Sequence, residues 1–220
     1  MPFRTLLFIC LLQCAAPAAL AQSPDDDNLS VNARFLVAAR TGDATGLERG
    51  LALGASVNAR NRLGETALVI LLKNNKVDLA EKVLDAGADV NQSAVNGITP
   101  LMTTAFNGQT AMARKLLDKG ADIAPVDRLG KNAMIYGAGA GSTEIVVMLL
   151  GKGVDPNAIY QNDLTALMWA AGYGKTETVK ALMTAGANAK LKDNRGKTAA
   201  DIARDEHFAD TAAVLDAASK

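Results

Sequence analysis

The sequence predicts an all-α fold, a solenoid of about six helix-turn-helix units joined by short β-turn or hairpin tips. Three series of residues, each stepping by 33 positions, carry the prediction. The first is Gly54-Ala55, Gly87-Ala88, Gly120-Ala121 and Gly186-Ala187, with Gly153-Val154 keeping the step between the last two. The second runs Gly42, Asn75, Gly108, Gly141 and Gly174, and the third Gly64, Gly97, Gly130, Asp163 and Gly196. Self-similarity at this period means one supersecondary unit repeated in line, because a unit this small cannot bury an apolar face alone.

Residues 1–21 stand apart from that frame. Arg4, the apolar run Leu6 to Leu12 and the small-residue stretch ending Ala19-Leu20-Ala21 read as a secretory signal peptide, with cleavage expected after Ala21. Gln13 and Pro17 interrupt the run and leave it short of the roughly 20 residues a spanning helix needs. Leu11-Leu12-Gln13-Cys14 resembles a lipoprotein site, but Gln13 occupies the place of its small residue, which argues against lipidation of Cys14. Both cysteines, Cys10 and Cys14, fall in this segment, so the mature chain carries no thiol. Residues 22–30, with Ser23-Pro24 and Asp25-Asp26-Asp27, read as a flexible acidic linker; three adjacent carboxylates repel one another and offer no preformed calcium cage.

From residue 31 each unit reads as two short amphipathic helices. Thr66, Thr99, Asn132, Thr165 and Thr198 share one repeat position, where a side-chain oxygen can cap the unpaired amides of the first helix. Pro100 follows Thr99 at the first helical position, where a missing amide proton costs little. Gly87, Gly120, Gly153 and Gly186 follow apolar pairs and mark the end of each second helix in a left-handed residue. Asn75 and Asp163, standing where the other copies have glycine, are among the residue types that best tolerate positive φ. Leu68, Leu101, Met134 and Leu167 should form one buried row, and Val83-Leu84, Leu116-Leu117, Leu149-Leu150 and Leu182-Met183 another.

The Gly-x-Thr opening, Thr99-Pro100-Leu101, and endings such as Leu116-Leu117-Asp118-Lys119-Gly120-Ala121-Asp122 and Gly87-Ala88-Asp89-Val90-Asn91 resemble ankyrin repeats. The resemblance covers roughly residues 31–216, in units 31–60, 61–93, 94–126, 127–159, 160–192 and 193–216, with the outer two as caps and 217–220 as a tail. The histidine that the family places after Thr-Pro-Leu is Val69, Met102, Ile135 and Met168 here, which puts the turn hydrogen bonds of that imidazole in doubt.

Charge and residue inventory exclude several classes. The 23 basic residues balance 23 acidic ones, leaving no electrostatic footprint for nucleic acid or a lipid surface. Without cysteine, and with the single histidine His207 in the last unit, the mature chain offers neither a nucleophile–base pair nor a zinc ligand set. Asp85, Asp89, Asp118 and Asp122 sit at turn positions spread along the repeat, and the glycine-dense Gly137–Gly141 lacks the strand and Lys-Ser or Lys-Thr ending of a phosphate loop. No enzyme activity and no cofactor or metal are therefore expected.

The family resemblance implies a protein-binding groove of turn tips and the exposed side of each first helix. Transferred position by position, the tips supply Arg62, Leu63 and Glu65; Val95, Asn96 and Ile98; Arg128, Leu129 and Lys131; and Tyr160, Gln161, Asn162 and Leu164. The helices add Lys73, Asn74, Phe106, Asn107, Tyr136, Trp169 and Tyr173, with Gly139, Ala140 and Gly172 leaving room between them. The partner-binding set is Arg62, Leu63, Val95, Ile98, Phe106, Arg128, Leu129, Lys131, Tyr160, Leu164, Trp169 and Tyr173, aromatic anchors rimmed by cations. Tyr136 and Trp169 lie one residue past the substituted histidine, and spacing leaves open whether they face the groove or the stack. Together with the export segment this implies a periplasmic protein-interaction module. Similar exported bacterial proteins imply a periplasmic redox or peroxide-defence enzyme as a partner class. A small-molecule or peptide receptor with an aromatic pocket around Trp169 and Tyr173 is the alternative.

Overall fold

The computed structural model describes residues 29–218; the expected signal peptide and residues 22–28 of the expected linker lie outside them. Among the described residues twelve α-helices pair in chain order. The pairs are α1 (Val31–Thr41) with α2 (Ala44–Ala52), α3 (Ala67–Lys73) with α4 (Val77–Asp85), and α5 (Pro100–Asn107) with α6 (Thr110–Asp118). They continue with α7 (Ala133–Ala140) and α8 (Thr143–Gly151), α9 (Ala166–Gly172) and α10 (Thr176–Thr184), and α11 (Ala199–Asp205) and α12 (Ala209–Ala218). The last helix runs two residues past the expected end of the repeats at 216, and Ser30, the last residue of the expected linker, caps α1 by accepting from the Ala33 amide.

Helix starts follow from the caps. Thr66, Thr99, Asn132, Thr165 and Thr198 all have extended backbone, and each side-chain oxygen accepts from the amide three residues on. Asn132 thus does the work of the threonines, its Oδ1 3.1 Å from the Ile135 nitrogen. Such a cap is worth about 1 kcal/mol per helix. At Thr198 the arrangement is reciprocal, since the Asp201 carboxylate accepts from the Thr198 amide. Asn75 and Asp163 take positive φ, 54° and 58°, as their place in the glycine series requires.

First helices stack on one another in unit order, α1 on α3 through to α11, and second helices form an outer layer behind them. Leu68, Leu101, Met134 and Leu167 are at most 1% exposed, and Val69, Met102, Ile135 and Met168 fill the histidine position just as tightly. In the second row Leu150 and Met183 are only half-buried, because they lie toward the outer edge of their helices, while their partners Leu149 and Leu182 are fully enclosed.

Neighbouring units are also joined by hydrogen bonds at the base, where each second helix hands over to the next unit. The side-chain oxygens of Asn58, Asn91 and Asn157 accept from the Asp89, Asp122 and Asn188 amides at 2.7–2.8 Å. Asn91 and Asn157 also donate to the Gly120 and Gly186 carbonyls at 3.1 Å. The rung between the third and fourth units is missing, because Ala124 stands where asparagine is needed. Pro125 beside it has no amide to close the base turn that Ala59, Gln92, Ala158 and Leu191 close in the other units.

Candidate functional site

Each tip is a short hairpin that leaves the stack, turns and returns to the next first helix. In three of them one side chain organises the turn: Asn61 Oδ1 accepts from the Leu63 and Glu65 amides, Asp127 Oδ1 from Leu129 and Lys131, and Asp193 Oδ1 from Arg195 and Lys197, at 2.8–3.0 Å. These carboxylates and amides make turn bonds with no imidazole involved. Burial alone would raise the Asp193 pKa; the bonds from the Lys197 amide and the Arg195 guanidinium and amide outweigh it and hold the pKa below the usual carboxylate value.

The returning arm is pinned to the outgoing one, with Asn61, Ala94, Asp127, Tyr160 and Asp193 donating to the carbonyls of Glu65, Ile98, Lys131, Leu164 and Lys197. This places the residue before each helix cap against the stack. The proposed accessible positions on that arm are corrected accordingly: Ile98, Lys131 and Leu164 are buried, as is Glu65. In the second and last units this position forms an ion pair with the residue eight further on, Glu65 with Lys73 at 2.5 Å and Lys197 with Asp205. Lys131 of the fourth unit has Gly139 eight residues on. Its ammonium lies instead 4.9 Å from the Trp169 ring centroid and 5.9 Å from that of Tyr136.

Trp169 is a second correction, being 4% exposed, and Tyr136 also faces the stack at 1%. Both rings are sandwiched: Phe106 meets Tyr136 edge-on at 6.1 Å, and Tyr173 stacks on Trp169 at 6.1 Å and 11°. The Tyr136 hydroxyl donates to Asp127 Oδ2 at 2.6 Å. Phe106, Tyr160 and Tyr173 are half-buried, and burial raises the Tyr160 pKa, aided by the charge of Asp155 and opposed by a hydrogen bond from Asn132. Asn74 and Asn107 are spoken for structurally, their side-chain amides donating to the Arg40 and Leu72 carbonyls of the preceding units.

Arg62, Leu63, Val95, Arg128 and Leu129 remain accessible, on the turns of three successive tips. Leu63 and Val95 are more than half exposed. Val126 and Ile159, on the outgoing arms, are exposed too and were missed by sequence reasoning. Both align with Arg60, Ser93 and Lys192 in the repeat, so an apolar residue at a position otherwise polar was the available signal.

Adjacent tips are stitched through the main chain: Val95 donates to the Leu63 carbonyl, Arg128 to Asn96 and Asn194 to Asn162, at 2.9–3.1 Å. A side chain at Gly64 or Gly97 would meet the backbone of the following tip at 2.9 Å, which is how closely the tips pack. Between the tips of the fourth and fifth units no such stitch joins Gln161 to Leu129 among the described residues, and a Cβ at Gly130 would find Gln161 only at 3.7 Å. The cause is local. Asp163 replaces the tip glycine, and Tyr160 stands where three tips have an organising Asn or Asp and the stitched tip of the third unit has Ala94. The turn becomes a 3-10 segment, Gln161–Asp163, with two consecutive left-handed residues, Asn162 at φ 62° and Asp163 at φ 58°. A cleft of about 210 Å³ opens beside it, lined chiefly by Leu129, Lys131, Ile135, Tyr160, Leu164 and Trp169.

No group of three or more His, Cys, Asp or Glu side chains among the described residues could hold a metal ion, and no described helix is long and apolar enough to cross a membrane. His207 is exposed in a left-handed turn between α11 and α12.

A stack of two-helix units with stitched hairpin tips defines a helical-repeat scaffold, a class whose stability accrues unit by unit and whose tips and helix faces vary freely. The family model described as ankyrin repeats (3 copies) matches residues 35–127, 72–160 and 134–217, and the chain belongs to the ankyrin repeat family. Ankyrin repeats generally mediate protein–protein interaction and are typically non-enzymatic. No curated protein matches the chain in sequence.

Proposed function

We propose that this chain is a non-enzymatic module that acts in the periplasm and binds a protein partner on the face made by its tips. The observation carrying the reading is the run of exposed Leu63, Val95 and Leu129 on three consecutive tips, with exposed Arg62 and Arg128 beside them. Apolar side chains on a stitched, rigid edge bind with little ordering cost, and flanking cations favour orientation and specificity. Residues 1–21 support export by their sequence pattern, and a periplasmic redox or peroxide-defence enzyme is the partner class to probe first.

The receptor alternative draws less support. Trp169 is enclosed, Tyr173 does not line the cleft, and about 210 Å³ is below the roughly 300–1,000 Å³ of drug-sized ligand sites. The test is capture from periplasmic extract by the mature chain, compared with Leu63→Asp/Leu129→Asp. A partner retained by the wild type and lost by the variant is the expected result. Identical captures by both proteins would mean the partner sits elsewhere.

A further inference from the structure

The gap between the tips of the fourth and fifth units has three properties that belong together. Its walls are mostly apolar, with Leu129 at the rim and Ile135, Leu164 and Trp169 inside. Its volume, about 210 Å³, suits one ring or branched side chain, since a cavity of roughly 150 Å³ already admits benzene. Its rim carries the two main-chain groups left over from the missing stitch, the Leu129 carbonyl and the Gln161 amide, which among the described residues have no hydrogen bond to each other. Adjacent tips elsewhere in the chain satisfy this same pair.

We propose that this cleft receives a single aromatic or branched aliphatic side chain from an extended segment of the partner. The segment's main chain spans the Leu129 carbonyl and the Gln161 amide, replacing the absent tip-to-tip bond. An extended peptide presents a donor and an acceptor on one edge while its side chain points away from it, which matches polar groups at the rim and apolar walls below. Consecutive left-handed backbone at Asn162 and Asp163 holds the tip away from its neighbour, local strain of the kind that accumulates at binding sites. The inference rests on the protein-binding reading and assigns that face a specificity pocket.

Trp169 is the only tryptophan in the chain, so its fluorescence reports directly on the cleft. The full mature chain is titrated with N-acetyl-Gly-Phe-Gly-amide, N-acetyl-Gly-Leu-Gly-amide and N-acetyl-Gly-Ala-Gly-amide. The Phe and Leu probes should give saturable changes at concentrations about tenfold or more below the Ala probe, as burial of a large apolar side chain requires. Leu129→Asp should weaken the Phe probe by a similar factor. Tyr160→Asp/Asp163→Gly, which restores the residue types of the other tips and lets the stitch form, should abolish its binding and carries the test should Leu129→Asp fail to fold by circular dichroism. Equal binding of the Ala and Phe probes, or undiminished Phe binding by a folded variant, overturns the proposal. Neither result depends on capture of a partner, so failure here leaves the tip-face reading to its own pull-down.

Discussion

Repairing the missing base rung should stabilise the stack. In the double substitution Ala124→Asn/Pro125→Ala, the new asparagine can accept from the Asp155 amide and donate to the Gly153 carbonyl, as Asn157 does for Asn188 and Gly186 at 2.7 and 3.1 Å. The new alanine supplies the turn-closing amide that Ala158 provides to Asp155 at 3.1 Å in the next unit. Three solvent-exposed bonds contribute about 0.5 kcal/mol each at the low end of the usual range. Loss of proline frees the unfolded chain and takes back about 0.4–1 kcal/mol. The net gain is about 0.5–1 kcal/mol, a rise of roughly 1–4 °C in Tm for a domain of this size. Ala124→Asn alone should be close to neutral, because Pro125 keeps residue 124 extended and out of the turn. Asn91→Ala, which removes an intact rung, should cost about 1 kcal/mol. Urea unfolding followed by far-UV circular dichroism measures all three, with an unchanged m-value as the control. A double variant no more stable than the wild type, beside an Asn91→Ala that costs nothing, would refute the claim that these rungs hold the units together.

Leu116→Ala should lose about 2–5 kcal/mol in the same assay, since the fully enclosed side chain leaves a cavity between α6 and its neighbours. Tyr136→Phe should cost about 1–3 kcal/mol by removing the hydroxyl that serves the buried Asp127 Oδ2, while the two tip amides on Oδ1 remain bound. Asp193→Asn should destabilise the chain at neutral pH, and its difference from the wild type should shrink as pH falls. The sign follows because the folded pKa is depressed, so the carboxylate's contribution is present above the unfolded value of about 3.9 and is lost as pH drops through the folded one. A pH series of thermal unfolding curves from pH 7 to 3 checks it.

What could be read from the chain was whatever the repeat enforces on every unit. The caps at Thr66, Thr99, Asn132, Thr165 and Thr198 depend on local backbone and one oxygen, so residue type at a fixed step suffices. The same holds for the positive φ of Asn75 and Asp163. Side-chain direction on the hairpins did not follow from spacing. Ile98, Lys131 and Leu164 share a repeat position with Glu65 and Lys197, a mixed set that gives no sign of being buried. Only the main-chain pairing of the two arms, which fixes the return strand against the helices, decides it. Lys131 is the clearest case, since its ammonium lies over rings from two different units. The cleft was equally out of reach, although the residue that sets its tip apart, Asp163 in a series with Gly64, Gly97, Gly130 and Gly196, stood in the sequence.

The aromatic residues take on a different meaning once the seams are compared. Of the three seams between the second and fifth units, two lack a bond that the third possesses: the base rung between the third and fourth units, and the tip stitch between the fourth and fifth. Aromatic contacts cross both of them. Phe106 of the third unit meets Tyr136 of the fourth, while Lys131 of the fourth covers Trp169 of the fifth and Asn132 donates to the Tyr160 hydroxyl at 3.3 Å. Ring contacts of this kind are worth about 0.5–1.5 kcal/mol beyond their buried area, comparable to one or two exposed hydrogen bonds. Concentration of the rings in the middle of the chain therefore follows from cohesion at the two under-bonded seams and needs no ligand to explain it. Recognition then falls to the residues that cohesion leaves outside, the apolar turns Leu63, Val95 and Leu129, and to the one seam where Trp169 is held in place but the tip above it stays open.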